Sequence, residues 1–255
     1  MDSIRSNFKN PPVSHRAAPL WVWNDLMSEE QIAFQLKELK EHGFGGAFVH
    51  PRPGLITDYL SDEWFDRWGF ALKTAKELGL KLYIYDENSY PSGFAGGEVS
   101  AQLPDCLACG MNYTVIDLSE CRQERKIHDM LPSDDPIAVF TCREGENGLE
   151  ILEDISVYPK DKWAEHGDMV FVCNLVKPGT TGWLAGFSFV DLMRPEVNEA
   201  FIKSTHEKYY ARFGDDFGDA IPALFTDEPA LYAGSLYGGG EPSVPFSYWF
   251  VNEFE

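Results

Sequence analysis

One grammar recurs in the N-terminal part of this chain and limits the fold more than any other feature. It runs as an apolar stretch of strand length, a polar tip, a capped helix, a glycine, and the next strand. Leu20 to Trp23 reads as the first strand and ends at Asn24 and Asp25. Ser28-Glu29-Glu30-Gln31 then forms a capping-box pattern, in which serine and glutamine satisfy each other's amide groups. Ile32, Leu36 and Leu39 follow at helical spacing, and Gly43 is placed to close the helix in a left-handed cap. Gly45 to Val49 is the second strand, ending at His50-Pro51-Arg52. Ser61 caps the next helix, whose apolar side carries Trp64, Phe65, Trp68, Leu72, Ala75 and Leu78, and Gly79 ends it. Leu80 to Tyr85 is the third strand and stops at Asp86 and Glu87. Units of this kind build parallel sheets.

After Ser89-Tyr90-Pro91-Ser92-Gly93 the pattern changes to short β-rich runs, at 113–118, 137–142, 151–157, 169–176 and 183–189. Turn-forming pieces at 132–136 and 145–148 separate them, as in an antiparallel insertion. The βα grammar resumes at Pro195, a good first helical residue. Val197, Phe201, Thr205, Tyr209 and Arg212 keep the helical period, and Gly214 is expected to close the helix. Ala223-Leu224-Phe225-Thr226-Asp227-Glu228-Pro229 is then expected as a fourth, buried parallel strand, with Pro229 holding Glu228 extended. The division that follows is 1–105 for three βα units, 106–190 for a β-rich insertion, and 191–255 for a fourth unit and a tail.

The 255 residues carry a formal net charge of −20, which argues against nucleic acid and anionic membrane surfaces and favours a neutral or cationic ligand. No run approaches the length of a membrane span. The N-terminal residues contain no apolar signal core, so the cytoplasm is the expected compartment. The five cysteines are odd in number and unevenly spaced, which fits a reducing compartment better than a disulfide framework. Cys106 and Cys109 form a lone C-x-x-C and read as ordinary buried thiols.

In a parallel α/β barrel the C-terminal tips of the strands share one rim, where such enzymes hold their chemistry. The four expected tips bring Trp23, Asn24 and Asp25, then His50 and Arg52, then Asp86 and Glu87, then Asp227 and Glu228. Acids crowded on a rim resist joint ionisation, so one can keep a proton while another stays charged. Two carboxyl groups flanking a glycosidic bond work in this way. Tyr90 and Trp23 offer flat surfaces on which a sugar ring stacks.

Five ordered motifs carry a resemblance: Pro19 to Asn24, Gly45 to Arg52, Tyr85-Asp86-Glu87, Tyr90 to Gly93, and Phe225 to Pro229. Together they resemble the catalytic-barrel region of glycoside hydrolase family 106, which contains the α-L-rhamnosidases. The resemblance implies a (β/α)8 barrel of the TIM type with a β-rich insertion after the third strand, inverting hydrolysis of a neutral α-L-rhamnoside-like glycoside, and Glu228 as proton donor. Asp227 would share the catalytic work, while Asn24, Trp23, His50, Arg52, Asp86, Glu87 and Tyr90 would bind the sugar. It also brings a calcium ion into consideration, for which Asp86 and Glu87 offer oxygen donors. About four βα units are accounted for, against the eight units and about 250 residues of a closed barrel. The expectation is therefore the first half of a barrel, either continued by a missing C-terminal half or paired with a second copy. Two other readings fit the same tips: a divalent-metal sugar isomerase or epimerase, and a non-catalytic carbohydrate-binding half-barrel.

Overall fold

The structure, a computed structural model, describes residues 2–119, 131, 136–177, 179–231 and 243–254. Along the chain it forms α1 (Asp2–Lys9), β1 (Leu20–Trp23), α2 (Glu29–Glu41), β2 (Gly46–Pro51), α3 (Asp62–Leu78), β3 (Lys81–Tyr85) and α4 (Glu98–Gln102). There follow β4 (Cys109–Asp117), β5 (Ala138–Gly145), β6 (Gly148–Asp154), α5 (Trp163–His166) and β7 (Met169–Val176). The last elements are α6 (Pro195–Phe201), a π-helical segment (Ile202–His206), α7 (Glu207–Phe213), β8 (Leu224–Phe225), β9 (Val244–Phe246) and α8 (Tyr248–Phe254). Two compact units result: Met1–Cys106 with Thr180–Ala230, and Leu107–Gly179 with Leu231–Glu255. Residues 180–190, expected within the insertion, lie with the first unit, and the described part of the tail lies with the second.

The first unit holds a four-stranded parallel sheet in the order β1-β2-β3-β8. Its helices start and stop where the side chains dictate. Ser28 Oγ accepts the Gln31 N–H at the start of α2, and Ser61 Oγ accepts the Trp64 N–H at the start of α3. Gly43 and Gly79 sit at φ 83° and 68°, a left-handed conformation that costs a residue without Cβ little. Alternation along the strands sends Trp21, Trp23, Ala47, Val49, Leu82 and Ile84 to the face covered by α2 and α3, where all are buried. Trp23 meets Trp21 and Trp64 edge-to-face at 5.3 and 5.2 Å, and Trp64 Nε1–H donates to the Tyr209 hydroxyl at 3.0 Å. Large rings packed in this way are the main source of core stability on that side.

The opposite face carries Leu20, Val22, Phe48, Tyr83 and Phe225, all partly exposed, and it buries only His50 and Tyr85 near the strand ends. Phe48 stacks on Tyr83 at 4.4 Å, and Tyr85 on Phe225 at 5.7 Å.

Three expectations need correction here. The run expected as a buried fourth strand pairs with β3 only through Leu224 and Phe225, and these are 40% and 38% exposed. The physical reason is its position: β8 is an edge of the sheet, with no strand beyond it among the described residues. Glu228 is not extended but has φ 45°, because the chain turns directly after Asp227, whose backbone is anchored on both sides to Ser92. The segment 183–189 is no strand. It contains a short 3-10 turn (Gly182–Leu184) whose cap is Thr181 Oγ1 accepting the Trp183 N–H. The expected helix from Pro195 is present and ends at Phe213 with Gly214 as its cap, as expected; within it the chain widens to a π turn at 202–206, and Gly214 opens a further 3-10 turn.

The residues that flank the excursion into the second unit are joined within the first. Asp191 N–H donates to Cys106 O at 2.8 Å, Ser100 Oγ to Ser188 O at 2.8 Å, and Arg194 Nη1 to Asp105 O at 3.2 Å.

The second unit is a five-stranded sheet in the order β6-β5-β7-β4-β9, with antiparallel pairing throughout. The turn expected at 145–148 is the β5–β6 hairpin, with Gly148 at φ 119°. Ile116, Leu118, Val139, Ile155, Trp163, Val170 and Val172 form its core. No disulfide joins Cys106, Cys109, Cys142 and Cys173 to one another; Cys121 and the turn residues 132–135 lie outside the described residues. Among the described residues no helix is long and apolar enough to cross a membrane.

Candidate functional site

The C-terminal ends of β2, β3 and β8 bring His50, Arg52, Tyr85, Asp86, Glu87 and Asp227 to one end of the parallel sheet. Alternation then splits them between its two faces. His50, Tyr85 and Asp227 belong to the open face. The His50 ring stacks on Tyr85 with centroids 3.7 Å apart, and the Tyr85 hydroxyl donates a short hydrogen bond to Asp227 Oδ2. Burial, with the Asp227 carboxylate beside it, holds the Tyr85 hydroxyl protonated far above the usual phenol range. Asp227 is further fixed by its backbone, which accepts from Ser92 N–H at 2.8 Å and donates to Ser92 Oγ at 2.9 Å.

Asp86 points the other way and is wholly buried. Its Oδ1 accepts from Ser92 Oγ at 2.6 Å, and its Oδ2 accepts from Thr226 Oγ1 at 2.6 Å and lies 3.2 Å from His206 Nε2. One carboxylate thereby ties together β3, the loop after it, the helix at His206 and the tip of β8. Glu87 is equally buried. Its Oε1 accepts the N–H groups of Asn88 (2.8 Å) and Gly96 (2.5 Å), and its Oε2 those of Gly93 (3.1 Å), Phe94 (3.0 Å) and Ala95 (2.8 Å). Burial pushes this carboxyl up to about 8, while the amide donors pull in the opposite direction.

These placements correct part of the sequence reading. Asp86 and Glu87, expected to bind sugar, present their oxygens to protein donors. For the same reason they do not fit a calcium site, whose ligands must turn their lone pairs toward the ion. Among the described residues no three His, Cys, Asp or Glu side chains are grouped so as to hold a metal ion. Trp23 is fully buried under α3 and offers no face to a ligand, whereas Asn24 is exposed beside it. Glu228 is exposed at the end of β8. Tyr90 is half-buried and meets Trp183 edge-to-face at 4.9 Å. Tyr85, Ser92, Trp183, His206 and Thr226 were not singled out from sequence. Tyr85, Ser92 and Thr226 lay inside the quoted motifs, and nothing local marks the other two.

His50 has an unusual environment. It is fully buried, and neither ring nitrogen has a hydrogen-bond partner among the described residues. Burial, helped by the nearby Arg52 charge, lowers its pKa to about 4. The unfolded chain takes up a proton near pH 6.5, and the folded chain does not do so until about 4. The stabilisation is therefore complete above pH 6.5 and is lost as pH falls toward 4, an effect on the order of 3 kcal/mol. Urea unfolding at pH 7 and pH 4.5 should show this fall, and His50→Phe, which keeps the stack on Tyr85, should flatten it.

No family model matches the chain. Over 94 residues the chain is 29% identical to a protein of Formosa agariphila described as "Putative beta-glucuronidase", an alignment that covers 35% of this chain and 8% of that protein. The solved structure of a rhamnosidase from Novosphingobium sp. PP1Y aligns with 44% of this chain and 11% of its own, at 24% identity and a TM-score of 0.34. The chain thus spans about a tenth of the length of each of these proteins.

Proposed function

We propose that this chain is the acid-bearing part of a glycoside hydrolase, and that its parallel sheet is the first half of a (β/α)8 barrel. The observation that carries the reading is the cluster on the open face: Asp227 clamped by the Tyr85 hydroxyl, beside a buried His50 with two unpartnered nitrogens. A neutral imidazole and an oriented carboxylate can bind several sugar hydroxyls at once. Glu228, next along the chain and free to reach a ligand, is the proton donor, and Asp227 binds the glycone and orders the site around that acid. Similarity to a protein described as a beta-glucuronidase supports a glycoside as the substrate class, and the five strand-tip motifs support the same class. The strand order β1-β2-β3-β8, with helices on one face and an open aromatic face on the other, is what a barrel half requires. A metal-dependent isomerase loses its main support, because Asp86 and Glu87 are engaged by protein donors.

The test is turnover of a panel of aryl glycosides, neutral sugars and uronides alike, by the chain joined to whatever polypeptide completes its sheet. Release of the aryl alcohol from at least one of them is expected. A complete absence of cleavage, with isomerisation of free sugars instead, would overturn the reading.

A further inference from the structure

Arg52 stands apart from the other partly buried arginines among the described residues. Arg67, Arg143, Arg194 and Arg212 each lie 2.5–3.7 Å from a carboxylate, and Arg16 donates to Pro11 O and Asn10. Arg52 is half-buried and its side chain makes no ion pair or hydrogen bond among the described residues, and its Nε is buried without an acceptor. In a chain with 41 acidic residues this is a notable omission, since a guanidinium has five N–H donors and a carboxylate is their natural partner. What Arg52 has instead is a mount. Its guanidinium carbon lies 5.2 Å from the Tyr90 ring centroid and 5.3 Å from that of Trp183, and Trp183 Nε1–H donates to Tyr90 O at 2.7 Å. Aromatic faces stabilise the positive charge and hold its orientation, but they leave the in-plane N–H groups unsatisfied. The backbone of Arg52 continues the ladder by donating to Trp23 O at 3.0 Å, so its side chain leaves on the same side as that of His50, two residues earlier. His50 brings two more unpartnered nitrogens.

We infer that this pair is a receptor for an acidic sugar: Arg52, mounted on Tyr90 and Trp183, takes the carboxylate of a uronic acid residue, and His50 hydrogen-bonds to a hydroxyl of the same ring. The sugar part of this assignment rests on the glycosidase reading above; the charge rests on Arg52 alone. It replaces the neutral glycone expected from net charge, because the charge of a whole chain does not describe one clamped cation. A carboxylate is favoured over a sulfate ester because its two coplanar oxygens match the guanidinium fork.

The experiment measures binding of free D-glucuronate, D-galacturonate, D-glucose, L-rhamnose and glucose 6-sulfate to the chain by NMR titration. At least one uronate should bind about 10- to 100-fold more tightly than the neutral sugars and the sulfate ester, as expected for hydrogen bonds to a charged group. Arg52→Gln should remove that advantage and Arg52→Lys should restore only part of it, with circular dichroism showing both variants folded. The assignment is overturned if no uronate binds, if neutral sugars or the sulfate ester bind as well as the uronates, or if folded Arg52→Gln keeps the preference. Uronate binding without cleavage of any glycoside would sink the glycosidase reading and leave the receptor standing. Cleavage of neutral glycosides alone would do the reverse.

Discussion

Glu228→Gln is expected to lower kcat by about 10²–10⁴ on glycosides with poor leaving groups, the usual worth of a positioned general acid. The reasoning is chemical. An alkoxide leaves badly and needs a proton as the bond breaks, whereas a dinitrophenolate leaves without one. The same variant should therefore lose far less on dinitrophenyl glycosides, and the dependence of rate on leaving-group pKa should steepen. Asp227→Asn should behave differently. It weakens the contact with the Tyr85 hydroxyl and should reduce cleavage of good and poor leaving groups by similar factors. Steady-state rates over a series of aryl leaving groups separate the two outcomes. If Glu228→Gln gives a uniform loss and Asp227→Asn the leaving-group-dependent one, the proton donor is Asp227.

The second large effect concerns stability. Glu87→Ala should cost more than about 4 kcal/mol, because the N–H groups of Asn88, Gly93, Phe94, Ala95 and Gly96 lose their common acceptor inside the protein. Glu87→Gln should cost less. Its carbonyl oxygen can serve one side of the cage, while its NH2 confronts donors on the other. Denaturant unfolding gives the total. Hydrogen exchange locates it: protection should fall first at residues 93–96, since there the acceptor is a side chain and not the backbone of a neighbouring strand. Unchanged exchange in that loop would show that Glu87 does not organise it.

Much of the parallel sheet was legible in the sequence because its signals are local. Ser28, Ser61, Gly43 and Gly79 act within one helical turn of themselves, and the structure has them in the expected roles. The roles of the strand-tip residues were harder to read, because alternation says which residues share a face but not which face the helices cover. Trp23 looked like a platform for sugar and is instead buried beneath Trp64. Leu20 and Val22, its neighbours of opposite parity, are the exposed ones. Asp86 and Glu87 looked like ligands because their partners are distant in sequence or belong to the backbone. His206 reaches Asp86 across 120 positions, from a π turn whose extra residue leaves no mark in the helical period. Trp183 was assigned to a strand on composition, and its position against Tyr90 and Arg52 follows from a turn set by Thr181. The exposure of β8 follows from what lies beside it, which no local pattern encodes.

The seam formed by Asp191 with Cys106, Ser100 with Ser188, and Arg194 with Asp105 has a practical meaning. Where the polypeptide departs after residue 106 and where it returns at 180, the gap is already sutured by groups that stay behind. The segment between could be lengthened, trimmed or exchanged for a short linker, and the acids at the ends of β3 and β8 would keep their spacing.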